Sequence, residues 1–199
     1  RPESPGPIRS RIARSSNPPS SPVLRTVLES PGMEAGRNRL LSWCEIDADA
    51  LAQNLRAFRS LLPGGAELLF VVKANAYGHG LPLLSRLCPR LGVDWLGVHL
   101  LEEAIAVRES GWRGPVLLMG YVPRLRLAEA VAHDLDFTVY DLATLDELDR
   151  LGRVREERRP GSAVRCHLKL ETGTHRQGIP EQELEAFLER FAAAPGLRL

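Results

Sequence analysis

From about residue 41 onward, two hydrophobic rhythms alternate along the chain. Short apolar runs at 68–72, 95–100, 115–119, 137–140 and 163–170 are rich in β-branched and aromatic residues and too brief for buried helices, so they predict strands. A further short strand is expected at 43–46. Between the runs, apolar residues recur at helical spacing. Leu51, Leu55, Phe58 and Leu62 follow the capping candidates Asp47 and Asp49, and Gly64 and Gly65 stop that helix. Leu83, Leu84, Leu87 and Leu91 form the next stripe, and a helix over 101–110 ends at Gly111. Three more stripes follow: Leu125, Ala128 and Val131; Leu142, Leu145, Leu148 and Leu151; and Leu184, Phe187, Leu188 and Phe191. The leucine stripes are expected to be core faces.

Strand-then-helix units of roughly 20 to 35 residues imply parallel strands joined by right-handed crossovers, an α/β class. Periodicity alone leaves an open doubly wound sheet and a (β/α)8 barrel both standing. No GxGxxG dinucleotide fingerprint is present. Residues 1–38 differ from the rest: Pro, Ser and Arg dominate without apolar period, which predicts a disordered extension before a domain over 39–199. Pro18, Pro19 and Pro22 argue against an amphipathic targeting helix there. Met33 is the candidate true start. The mixed-charge run at 153–159, followed by Pro160 and Gly161, is expected to be a solvated loop.

With 199 residues, 44% hydrophobic and 26% charged, the chain can build a sizeable core. A net charge of +1, with basic residues spread along the chain, gives no nucleic-acid footprint. No apolar stretch reaches the roughly 18 residues of a membrane span. Cys44, Cys88 and Cys166 form neither a CxxC pair nor an even set, so no metal site or disulfide framework is expected. A reducing, cytoplasmic compartment fits them best.

Candidate chemistry concentrates in Phe70-Val71-Val72-Lys73-Ala74-Asn75-Ala76-Tyr77-Gly78-His79-Gly80. Lys73 stands where a buried strand gives way to a glycine-bearing loop. Apolar walls disfavour an ammonium and free the amine to attack an aldehyde or ketone, which is Schiff-base chemistry. The Tyr77 hydroxyl could donate to a phosphate, and Gly78 and Gly80 let backbone approach a ligand. His79 is expected to stabilise the loop. This string closely resembles the signature of the alanine racemases. The resemblance implies that Lys73 holds pyridoxal 5′-phosphate (PLP) as an internal aldimine and that Tyr77 contacts its phosphate. It also implies the fold: the N-terminal part of a PLP-binding (β/α)8, or TIM-type, barrel, with about five strands present and a sixth opening at 197–199.

A second constellation, His167-Leu168-Lys169-Leu170-Glu171-Thr172-Gly173-Thr174-His175-Arg176-Gln177-Gly178, also follows a predicted strand, on the barrel face where active sites lie. It is similar to the family pattern Lys-x-Asp-Thr-Gly-Met-x-Arg-x-Gly. By that resemblance Arg176 touches the PLP phenolic oxygen and the substrate carboxylate, while Lys169, carbamylated in many members, holds the arginine. Glu171 departs from the usual aspartate, Thr174 from methionine and Gln177 from a common leucine. Val71 and Met119 match positions flanking the cofactor. Asn54, Glu103 and Ala104 match recurrent positions. The resemblance implies a homodimeric isomerase interconverting L- and D-alanine for peptidoglycan, with its second base, a tyrosine, on the partner subunit's C-terminal domain. A non-catalytic PLP-binding or homeostasis module, or an inactive racemase remnant, is the alternative.

Overall fold

The computed structural model describes Ser10–Arg11 and residues 44–199; the remainder of the expected extension, and Trp43 of the first expected strand, lie outside the described residues. Strands β1 (Ser10–Arg11) and β2 (Cys44–Glu45) pair in parallel with each other. The first expected strand therefore forms at 44–45, apart from the main sheet.

Six parallel strands make that sheet: β3 (Leu69–Val71), β4 (Trp95–Val98), β5 (Val116–Leu118), β6 (Asp136–Val139), β7 (Val164–Leu168) and β8 (Leu197–Arg198). They lie side by side in chain order. That order resolves the choice left open by periodicity. A doubly wound sheet reverses its strand order at a switch point, whereas a (β/α)8 barrel advances one strand at a time without reversal. The sheet is the N-terminal part of such a barrel, five full strand-helix steps with the sixth strand begun at Leu197.

Helix α1 (Ala48–Leu61) precedes the sheet. Its cap forms as expected: the Asp47 carboxylate accepts the N–H groups of Asp49 and Ala50, each at 2.9 Å. After β3 come the short turn α2 (Lys73–Tyr77) and α3 (Leu81–Leu91). Helices α4 (Leu101–Glu109), α5 (Leu127–Ala132), α6 (Leu142–Arg158) and α7 (Leu184–Ala192) carry the remaining crossovers. The core lies between strands and helices. Leu96, Val98, Val116, Leu118 and Val139 on the sheet meet Leu84, Ala104, Leu127, Leu145 and Leu148 on the helices, all buried. Each buried Leu or Val side chain stabilises the fold by about 1.5–3 kcal/mol. Cys88 and Cys166 belong to this core, where burial pushes both thiols up to about 12.

Three expectations need correction. Residues 153–158 of the charged run are the last part of α6 rather than a loop, with Arg159 as the extended residue that ends it, because the charges lie on outward turns and find partners: Arg153 pairs with Asp149 one turn back, and Arg155 reaches Asp134 at 2.6 Å. The stripe Leu125, Ala128 and Val131 has the wrong phase. Leu125 is 98% exposed on a 3-10 turn, and α5 buries Leu127, Ala130 and Val131 instead. Phe58, Leu142 and Leu188 also face outward. No helix among the described residues is long and apolar enough to cross a membrane.

Candidate active site at the strand ends

Parallel strands bring all their C-terminal ends to one edge of the sheet. Val71 is registered with Gly97 on β4, Val98 with Leu118 on β5, and Val139 on β6 with Leu168 on β7. Lys73, Met119 and Lys169 follow β3, β5 and β7 there. The ladder runs one bond past each strand, since Val72 N–H donates to Gly97 O, Met119 N–H to Val98 O and Lys169 N–H to Val139 O, at 2.8–3.0 Å. Gly97 leaves room at this edge: a Cβ there would lie 2.7 Å from Leu69 Cδ2 and 3.4 Å from the Met119 methyl.

Among the described residues, the turn after Lys73 has the least ordinary backbone. Ala74, Asn75, Ala76 and Tyr77 all have positive φ, between 52° and 54°, forming a left-handed helical turn that ends at Gly78 with φ 88°. Four L-residues in that region cost about 1–2 kcal/mol each. The segment holds the shape through specific bonds. Ala76 N–H donates to Val72 O, Gly80 N–H to Asn75 O, and Leu81 N–H to the Asn75 side-chain oxygen at 2.8 Å, which caps α3. A His79 ring nitrogen lies 2.9 Å from Ala76 O, the loop-stabilising contact expected of it. Ala74 N–H donates to Glu103 Oε1 at 2.6 Å.

The turn leaves Tyr77 61% exposed and Lys73 half-buried. Tyr77 and Val71 share an open cleft of about 570 Å³ with Ile46, Asn54, Phe70 and His79. Lys73, Met119, Lys169 and Arg176 share the sheet edge but do not line that cleft.

Beyond β7 the chain folds back on itself. Leu170 bridges to Ile179, and Glu171 and Ile179 exchange backbone bonds with Ile179 O and Lys169 O, closing a loop over 171–178. The Glu171 carboxylate turns into this loop and accepts Gly173 N–H at 2.6 Å. The backbone N–H groups of His175 and Gly173 hold its pKa below the usual carboxylate range. Gln177 donates to the Tyr140 hydroxyl at 3.1 Å. Arg176, between them in the loop, is exposed. Among the described residues the side chains of Lys73, Lys169 and Arg176 have no hydrogen-bond or ion-pair partner. Lys73 and Lys169 thus stand unpaired at the same edge of the sheet, with Arg176 in the loop that follows.

Sequence reasoning located the cations and missed their supports. Asn75 gave no signal of its own, Gln177 stood out only as a departure from the family pattern, and Glu103 only as a recurrent position.

Fold and strand-end residues together define a class: a partial parallel barrel with a lysine at the end of its first strand. The chain belongs to the alanine racemase family, since the family model "Alanine racemase, N-terminal domain" matches residues 46–199. It is similar to the alanine racemase of Sorangium cellulosum, 39% identical over 160 residues, covering 78% of this chain and 41% of that protein. Alanine racemase 1 of Oceanobacillus iheyensis is 36% identical over 142 residues, 71% of this chain and 36% of the relative. Among solved structures, the alanine racemase from D-cycloserine-producing Streptomyces lavendulae superposes with a TM-score of 0.69 at 32% identity, over 77% of this chain and 40% of that one. The chain thus spans about two fifths of the length of the relatives it matches.

Proposed function

We propose that this chain is the PLP-binding part of an alanine racemase that interconverts L- and D-alanine. One observation carries the reading: Lys73 follows a half-buried parallel strand and stands at the same sheet edge as Lys169, with Arg176 in the loop beyond, and all three cations are unpaired among the described residues. The side chains fit PLP chemically. Lys73 offers an amine for its aldehyde, the exposed Tyr77 hydroxyl a donor for its phosphate, Val71 and Met119 apolar surface for its ring, and Arg176 a guanidinium for its phenolic oxygen.

When bound, PLP supplies an electron sink for charge released at the substrate Cα. The Lys73 amine would hold the cofactor at its aldehyde carbon and, once the substrate's amino group has displaced it there, would be free to accept or return the Cα proton on one face of the substrate. Arg176 receives the substrate carboxylate and fixes the Cα–H direction, and Lys169, as its carbamate, would give Arg176 an anionic partner. Proton exchange on the other face requires a second group, because positioned proton transfer is worth about 10²–10⁴-fold. That group is read as a tyrosine from the partner subunit of a homodimer. The reading includes a cytoplasmic enzyme supplying D-alanine for peptidoglycan.

Borohydride reduction of the PLP-loaded full-length protein, followed by peptide mapping, tests the assignment. Pyridoxyl label is expected on Lys73. Label on Lys169 or elsewhere with Lys73 unmodified overturns it, and label on Lys73 without alanine racemisation would favour a PLP-handling module instead.

A further inference from the structure

Lys73 is bracketed by two backbone bonds to neighbouring elements. On one side Val72 N–H is held by Gly97 O of β4; on the other Ala74 N–H is held by Glu103 Oε1 at 2.6 Å. The second oxygen of the same carboxylate accepts His99 N–H at 2.9 Å and Leu100 N–H at 3.0 Å, the N-cap side of α4. Glu103 therefore satisfies three backbone donors from two strand-end loops. A capping glutamate needs only the bonds to its own helix N-terminus. The bond to Ala74, 29 residues back in the chain, lies outside that local purpose, and it falls on the first of four left-handed residues. Strained backbone at a site persists only where its surroundings over-determine it.

We propose that Glu103 is a positioning residue for Lys73: by tying Ala74 N–H to the start of α4 it holds the left-handed turn that sets the direction of the lysine side chain. The part played by Lys73 rests on the PLP reading above; the clamp itself does not.

Glu103→Gln separates the clamp from the cap. A glutamine has one acceptor oxygen, which goes to the side with two donors, His99 and Leu100, and leaves its NH2 facing Ala74 N–H. In the full-length variant, amide exchange at Ala74 is expected to rise at least tenfold in the PLP-free protein, with His99 and Leu100 unchanged. The rate at which PLP becomes attached to Lys73, trapped by borohydride, is expected to fall at least tenfold. Turnover should fall similarly, with KM for alanine changed less than threefold. Ala74→Gly relieves the left-handed strain, so Glu103→Gln with Ala74→Gly should recover a substantial part of the lost attachment rate, which a purely helix-capping role would not allow. Should Glu103→Gln fail to fold, Glu103→Asp retains the charge but withdraws it by about one C–C bond, ~1.5 Å, and should shift the same readouts in the same direction. Unchanged Ala74 exchange, or an unchanged attachment rate, overturns the proposal. Wild-type protein that never labels Lys73 defeats the PLP reading, and the exchange measurement then decides the clamp alone.

Discussion

The Gln177 side chain donates to the Tyr140 hydroxyl across 3.1 Å, tying the loop that carries Arg176 to the end of β6. The tether is a single polar contact between the loop and the strand end. Tyr140→Phe should cost about 0.5–1.5 kcal/mol, the usual net value of such a bond. Amide exchange across 171–178 should quicken, and, on the proposed reading in which Arg176 receives the substrate carboxylate, KM for alanine should rise more than kcat falls. Unaltered exchange in that loop would show that the tether holds nothing.

Glu171 makes the same loop sensitive to acid. Its folded pKa lies below the ordinary 4.5 because the N–H groups of His175 and Gly173 favour the charged form. A lowered carboxylate pKa gives stability that is present above 4.5 and lost as pH falls through the folded value. Exchange at Gly173 and His175 should therefore accelerate below pH 4.5 relative to the rest of the chain, and Glu171→Gln should remove that dependence. Equal acid sensitivity in both proteins would refute the role.

The site shows how far the chain's pattern reaches. Lys73 was legible because the apolar run before it ends in a strand, and the strand's direction then fixed which edge it faces. The turn after it was not. Ala74, Asn75, Ala76 and Tyr77 include no glycine to announce positive φ, and the carboxylate that helps hold them lies on α4. Phase failed where an element is short: six residues of α5 give too few repeats to tell Leu125 from Leu127. The charges at 153–159 concealed a helix because their partners, Asp149 and Asp134, come from outside the run.

Lys169 and Arg176 are both cations, and unmodified they would repel each other. If Lys169 supports the arginine as a carbamate, Lys169→Ala in the full-length protein should reduce racemisation and weaken alanine binding while leaving PLP attachment at Lys73 largely intact. Added short-chain carboxylic acids should restore part of the activity by supplying the missing anion. Loss of PLP from a folded variant would give Lys169 a direct cofactor role instead.

The last strand depends on a close approach. Asp149, fully buried on α6, accepts Gly196 N–H at 2.9 Å, and Gly152 one turn further along lies against the same backbone. A Cβ on Gly152 would stand 2.0 Å from Gly196 O and 2.7 Å from Gly196 C, contacts that only a shift of the main chain can relieve. Gly152→Ala should therefore destabilise the protein by roughly 1–3 kcal/mol through overpacking, even though alanine is the better helix former. Gly64→Ala is the matched control. A Cβ there meets nothing within 4 Å and its φ is not positive, so the change should be neutral or stabilise by about 0.4–1 kcal/mol through the unfolded chain. Urea unfolding of both variants decides the point. A Gly152→Ala midpoint equal to that of Gly64→Ala would mean that α6 and the segment entering β8 are not locked together at Gly196.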